Sequence, residues 1–198
     1  MPGHQSTRRL LFYMKRYAFV AGVICLSGTF VTAQENGAPA VEVGVNYSFV
    51  HVTSPQGLGS YGENGGSASF AYNVNRTLGL VGDLGGYDSG NLGVHTFSYM
   101  VGPRLNWRMS RVVPYVQFLF GGIHEWGFVN SDGTSSTPNA FATAAGGGVD
   151  INITRHIALK PFQLEYFMTQ LPNSVSTLNS VQNNLRYSAG LVFNFGAK

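Results

Sequence analysis

Charge is scarce in this chain: 11% of its 198 residues are Asp, Glu, Lys or Arg. No dense basic stripe exists, so nucleic acid is not an expected partner. There is a single cysteine, Cys25, which excludes a disulfide framework and a cysteine-rich metal site. The histidines are scattered, and neither metal nor cofactor is expected. Apolar runs are short as well. Residues 18–26 are uninterrupted, but a membrane helix needs about 20 apolar residues, so a helical anchor is excluded.

That short run has another reading. Met14-Lys15-Arg16 precedes it, and Val31-Thr32-Ala33 offers small residues behind it. A basic start, a short apolar centre and a small-residue end describe an export signal, with cutting expected after Ala33. Residues 1–13, with Arg8 and Arg9, read as a long basic leader or as a start codon placed ahead of the true start at Met14. Ile24 immediately before Cys25 argues against lipidation. The expected mature domain is residues 34–198. Loss of Arg8, Arg9, Lys15 and Arg16 leaves eight basic residues against nine acidic ones, a formal charge of −1.

What the chain has is alternation. In its last segment Tyr187, Ala189, Leu191, Phe193 and Phe195 form one face, while Arg186, Ser188, Gly190 and Asn194 form the other. Period-two alternation marks a strand with one wet and one oily side. A soluble barrel fills its inside with bulk; here the bulk faces out and the small polar groups face in, as for a barrel standing in lipid. The pattern predicts strands over 41–52, 67–74, 78–87, 92–105, 113–123, 141–153, 157–169 and 185–195. Eight is even, and lengths of about 9–11 residues cross a membrane at the usual tilt. The fold class is therefore all-β, a closed up-and-down antiparallel eight-stranded transmembrane β-barrel.

The connections alternate between long and short. Residues 53–66, 88–91, 124–140 and 170–184 are mostly long and polar; 75–77, 106–112 and 154–156 are short. Long connections face outward and short turns face the periplasm. The long set carries Glu63, Asp88, Glu125 and Asp132 and no Lys or Arg; the turns carry Arg76, Arg108, Arg111 and Arg155 and no acid.

Three fragments add to this: Leu80-Val-Gly-Asp-Leu-Gly-Gly86, Pro114-Tyr-Val-Gln-Phe-Leu-Phe-Gly-Gly122 and Gly146-Gly-Gly-Val-Asp150. With the eight strands and the terminal aromatic strand, the chain resembles small outer-membrane β-barrel proteins related to the transmembrane domain of outer membrane protein A. The resemblance implies residence in the bacterial outer membrane among lipids and lipopolysaccharide. It also implies recognition by the barrel-assembly machinery through the C-terminal strand, with Tyr187, Leu191, Phe193 and Phe195. The family often ends on the aromatic itself, whereas here Gly-Ala-Lys follows Phe195. Members include adhesins and surface-shielding proteins, so host or cell-surface ligands at the loops are implied too.

An eight-stranded barrel encloses space that side chains fill. The inward set predicted by alternation includes Glu42, Asp83, Arg104, Gln117, Asp150, Glu165 and Arg186, with Asn46 and Asn73 between them. Buried charges are costly unless paired, so these are expected to form a structural plug; a polar conduit, hence a small channel, is the alternative. Lys160 falls on the face opposite Gln163 and Glu165. A bulge at Pro161 would turn it inward; otherwise it snorkels at the periplasmic interface. Tyr47, Tyr72, Tyr87, Tyr99, Tyr115, Tyr166, Tyr187 and Trp107 lie toward strand ends or turns, and several of them are expected to belong to interfacial aromatic girdles. The glycine pairs lack a phosphate-loop pattern and mark close backbone approach.

Catalysis finds little support. Acyl transfer needs a base within reach of its nucleophile, but His95 and Ser98 point to opposite faces. His51 shares a face only with Thr53, and His124 has Glu125 as its chain neighbour. A lipid A-modifying enzyme and a secreted lipocalin-like barrel are the lesser alternatives. The expected role is non-enzymatic, structural or surface-interactive. A weaker expectation has divalent cations bridging Glu63, Asp88, Glu125 or Asp132 to lipopolysaccharide phosphates.

Overall fold

A computed structural model describes residues 38–53, 60–90, 93–129, 135–136, 139–171 and 180–196. The expected leader and Asp132 lie outside the described residues. Eight long strands form the barrel: β1 (Val41–Thr53), β2 (Ser60–Asn73), β3 (Leu78–Asp88), β4 (His95–Asn106), β5 (Val112–Trp126), β8 (Asn139–Asn152), β9 (Ile157–Leu171) and β10 (Ser180–Phe195). A two-residue hairpin, β6 (Phe128–Val129) with β7 (Ser135–Ser136), stands apart from them. Each long strand pairs antiparallel with its neighbours in sequence, and β1 closes on β10. Closure leaves no sheet edge, which lipid would not tolerate.

The register fixes the geometry. From Glu63 the directly opposed residues are Val50, Arg186, Glu165, Gly146, Gln117, Arg104 and Gly79, and the row returns to β2 at Asn73. It lands ten residues beyond its start (73 − 63). That shear tilts the strands and sets the width of the lumen. Short turns need local hydrogen bonds, and polar side chains supply them. Asn75 Oδ1 accepts from the backbone N–H of Thr77 and Leu78, and Thr154 Oγ1 does the same for His156 and Ile157. At the connection after β3, Gly90 and Gly93 both take positive φ, a conformation that costs glycine nothing.

Alternation holds in burial. Val45, Tyr47, Phe70, Leu84, Phe118, Phe141 and Leu191 face out and are exposed, while Glu42, Asp83, Arg104 and Arg186 face in and are buried. One strand breaks period two. On β9, Lys160 and Pro161 stand against the single residue Asp150 of β8, and Pro161 and Phe162 stand against Ala189 of β10. This two-against-one bulge flips the parity, so both Lys160 and Gln163 are buried. Lys160 therefore faces the lumen. Tyr187 Oη donates to the Pro161 carbonyl at 3.1 Å, holding the bulge from the outer face.

Several strands run further than the pattern predicts. β2 begins at Ser60, and β5 continues to Trp126. Gly62, Gly65 and Gly66 give β2 no side chains at those positions, so alternation there is invisible in the sequence. The inward face also differs: Val50, Val81, Met100, Leu119, Ile123 and Phe167 are buried in one apolar cluster. The interior is thus part ionic and part apolar, because the lumen must be filled and aliphatic side chains fill it without a desolvation cost.

Candidate functional site

The inward residues meet in two linked clusters. At the periplasmic base, Arg104 on β4 donates from Nη2 to Asp150 Oδ2 at 2.6 Å and from Nε to Asn106 Oδ1 at 2.8 Å. Its Nη1 lies 3.5 Å from Glu42 Oε2, and the guanidinium stacks 3.7 Å over the Tyr115 ring. Glu42 Oε1 also accepts from Asn73 Nδ2 and from Arg108 Nη2, at 2.8 and 2.6 Å. Arg108 belongs to a turn, yet it reaches back to close the base. No period-two argument could have found it.

Arg186 on β10 is the hub of the second cluster. Its Nη1 donates to Asp83 Oδ1 and to Tyr87 Oη, both at 2.8 Å, and its Nε to Glu165 Oε2 at 2.7 Å. Nη2 also lies 2.7 Å from Glu165 Oε2, an ion-pair contact off the hydrogen-bonding direction. Glu165 further accepts from Gln117 Nε2 and Gln163 Nε2, at 2.8 and 2.7 Å. Gly146 makes the Gln117 contact feasible. It stands between Gln117 and Glu165 in register, and an added Cβ would lie 2.8 Å from Glu165 Cγ. Gln163 joins the clusters, because its Oε1 accepts from Tyr115 Oη at 2.7 Å and from Lys160 Nζ at 3.1 Å.

The structure thus brings Glu42, Asp83, Arg104, Gln117, Asp150, Glu165 and Arg186 together. Four carboxylates, of Glu42, Asp83, Asp150 and Glu165, face four cationic side chains, Arg104, Arg108, Lys160 and Arg186. Of the aromatics at strand ends, Tyr87 and Tyr115 are not girdle residues: both are buried in the lumen. They share parity with Asp83 and Gln117, and buried phenols need polar partners, which Arg186 and Gln163 provide. Tyr47, Tyr72, Tyr99, Tyr166, Tyr187 and Trp107 do face outward.

The acidic loop set divides. Asp88 is on the outer surface, where Oδ2 meets His95 Nδ1 at 2.7 Å and the His95 ring stacks on Trp126. Glu63 and Glu125 are not loop residues: they belong to β2 and β5, face inward and are buried. Strand extension places them there, and it removes both from bridging to lipopolysaccharide. They lie at the extracellular rim, where the outward residues His51, Asn64, Asp88, His124 and Asn139 are polar and the exposed Trp126 is of the interfacial aromatic type. Burial, then the charge of Asp88, pushes the Glu63 carboxyl up to about 7, against a hydrogen bond from Thr96 that lowers it. Burial, then the charge of Glu63, pushes Glu125 up to about 7 as well.

On the outer wall, Tyr187, Leu191, Phe193 and Phe195 of the C-terminal strand all point to lipid. Among the described residues, His95 contacts Asp88 and hydrogen-bonds to no hydroxyl. No group of three or more metal-ligating side chains occurs among them either.

A family model described as outer membrane protein beta-barrel domain matches residues 21–195. Among solved structures, the chain is similar to Neisserial surface protein A, at 18% identity and a TM-score of 0.61, covering 81% of this chain and 100% of that one. It is similar to Ail, the attachment invasion locus protein of Yersinia pestis, at 18% identity and a TM-score of 0.52, covering 81% and 99%. A second Ail structure, in complex with the heparin analogue sucrose octasulfate, matches at 17% identity and a TM-score of 0.50, covering 81% and 99%. At such identities the likeness concerns the fold alone. No curated protein matches the chain.

Proposed function

The chain belongs to the outer membrane β-barrel family and resides in the bacterial outer membrane, and from that premise we propose that it is a non-catalytic barrel with a side-chain-plugged lumen. Its role is structural or surface-interactive. The observation that carries this reading is Arg186, fully buried and held between Asp83 and Glu165. Opening a path would break these buried pairs, which is costly. The apolar cluster of Val50, Leu119, Ile123 and Phe167 adds a second obstruction.

The surface role rests on the outer connections, rich in Asn, Ser, Thr and Gly and free of Lys and Arg. Such loops hydrogen-bond to lipopolysaccharide sugars or to other cell surfaces. They do not offer the cations that a polysulfated ligand of the kind seen with Ail would need. The same reading makes residues 1–33 a removed export signal, and it makes the strand ending at Phe195 the segment recognised by the assembly machinery.

Planar-bilayer conductance of the protein purified from outer membranes tests the plug. The expected result is a boiling-dependent gel shift, an intact mass corresponding to residues 34–198, and no steady conductance. A steady ohmic current from the unboiled form would replace the plug with a small channel.

A further inference from the structure

Charge inside the barrel is segregated along its length. Among the described residues, the ion pairs of the lumen occupy its base and middle, and none involves Glu63 or Glu125. These two carboxylates sit at the extracellular ends of β2 and β5, only 3% and 5% exposed. Thr96 on β4 ties them to one neighbourhood. It is directly opposite Glu125 in register, and its Oγ1 donates to Glu63 Oε1 at 3.2 Å. Glu125 Oε2 is buried and accepts no hydrogen bond. Tyr61, half-buried beside them, has its phenol pushed upward by burial and then by the charges of Glu63 and Glu125.

A buried carboxylate oxygen without a donor is a costly arrangement unless a cation supplies the missing partner. No lysine or arginine occurs in residues 53–66, 88–91, 124–140 or 170–184, and Arg186, on the register row of Glu63, is held by Asp83 and Glu165, so the cation is sought outside the chain. We propose that Glu63 and Glu125 bind a hard divalent cation at the extracellular mouth of the lumen, with Thr96 Oγ1 as a third oxygen. The donors are all oxygen, which suits calcium or magnesium and not a softer metal. A dication neutralises both carboxylates at once, whereas a proton neutralises only one. Calcium fits best, because it accepts irregular shells completed by water. The ion is held and not conducted: Ile123 is the next inward residue on β5 below Glu125, and Val50 faces Glu63 in register. The site stands whether or not the lumen conducts.

Calorimetric titration of Ca²⁺, and separately Mg²⁺, into the EDTA-stripped outer-membrane form in zwitterionic detergent tests this. Wild type is expected to bind one ion saturably. Glu63→Gln and Glu125→Gln are each expected to weaken binding roughly tenfold or more, because affinity follows the number of charged ligands, and the double variant is expected to abolish it. Arg155→Gln, altered in the exposed turn at the opposite mouth, retains wild-type binding. Absence of saturable binding in wild type, or equal binding in the double variant, overturns the site. Should a variant lose its boiling-dependent shift, wild type alone still decides: the ion must raise its thermal midpoint, and an unchanged midpoint rejects the proposal.

Discussion

Arg186 is the residue on which the interior most depends. One guanidinium satisfies Asp83, Glu165 and the Tyr87 hydroxyl, and its side chain is wholly buried. Arg186→Met keeps much of the volume and removes the charge, leaving two carboxylates without their cation. Breaking a buried pair costs about 3–5 kcal/mol, and the urea midpoint of the folded barrel should fall accordingly. A midpoint equal to wild type would mean that the network contributes no stability. Much of this was legible in the sequence, because period two alone places Glu42, Asp83, Arg104, Asp150 and Arg186 on one side. Tyr87 and Tyr115 were equally legible by parity. The general preference of tyrosine for membrane interfaces pointed elsewhere, and the register prevailed. Arg108 was not legible, because a turn has no period from which to read where its side chain goes.

At the scale of the element, β9 shows how one extra residue assigns a charge to the lumen. Strict alternation would aim Lys160 at lipid. The bulge across Lys160, Pro161 and Phe162 turns it toward Gln163 instead, and proline suits the position because it has no N–H to withhold from the ladder. Deleting Pro161 restores regular pairing and flips every residue on one side of the deletion to the opposite face. Either Lys160 meets lipid or Gln163 and Glu165 do. The expected outcome is loss of the boiling-dependent gel shift, whereas Pro161→Ala, which keeps the residue count, retains it. A deletion variant that folds normally would show that the bulge does not set the register. The strand ends were the least legible part of the sequence. Glycines at 62, 65 and 66 erased the alternation of β2, and the polar outward residues at the extracellular rim resemble loop, so Glu63 and Glu125 read as loop acids.

At the scale of the whole molecule, acid and base are sorted to opposite ends. Arg76, Arg108, Arg111 and Arg155 lie in the turns at one mouth; Glu63, Asp88 and Glu125 lie at the other. Among the described residues the ion pairs of the lumen lie toward its base and middle, and the difference sets how stability responds to pH. Glu63 and Glu125 are raised from an ordinary 4.5 to about 7 in the folded barrel. Below pH 4.5 they are protonated in both folded and unfolded chains. Between 4.5 and 7 the unfolded chain releases protons that the folded one retains, so stability falls as pH rises. Above 7 the loss is complete, on the order of 3 kcal/mol per carboxyl from a shift of this size. Folded-state midpoints in urea, measured with EDTA from pH 4.5 to 8, should therefore decline through this window. The Glu63→Gln, Glu125→Gln double variant should be flatter and more stable at pH 8. A wild-type midpoint that rises through the same window would mean that the two carboxyls are already charged and satisfied in the fold. The mouth would then hold a partner other than a proton even without added metal.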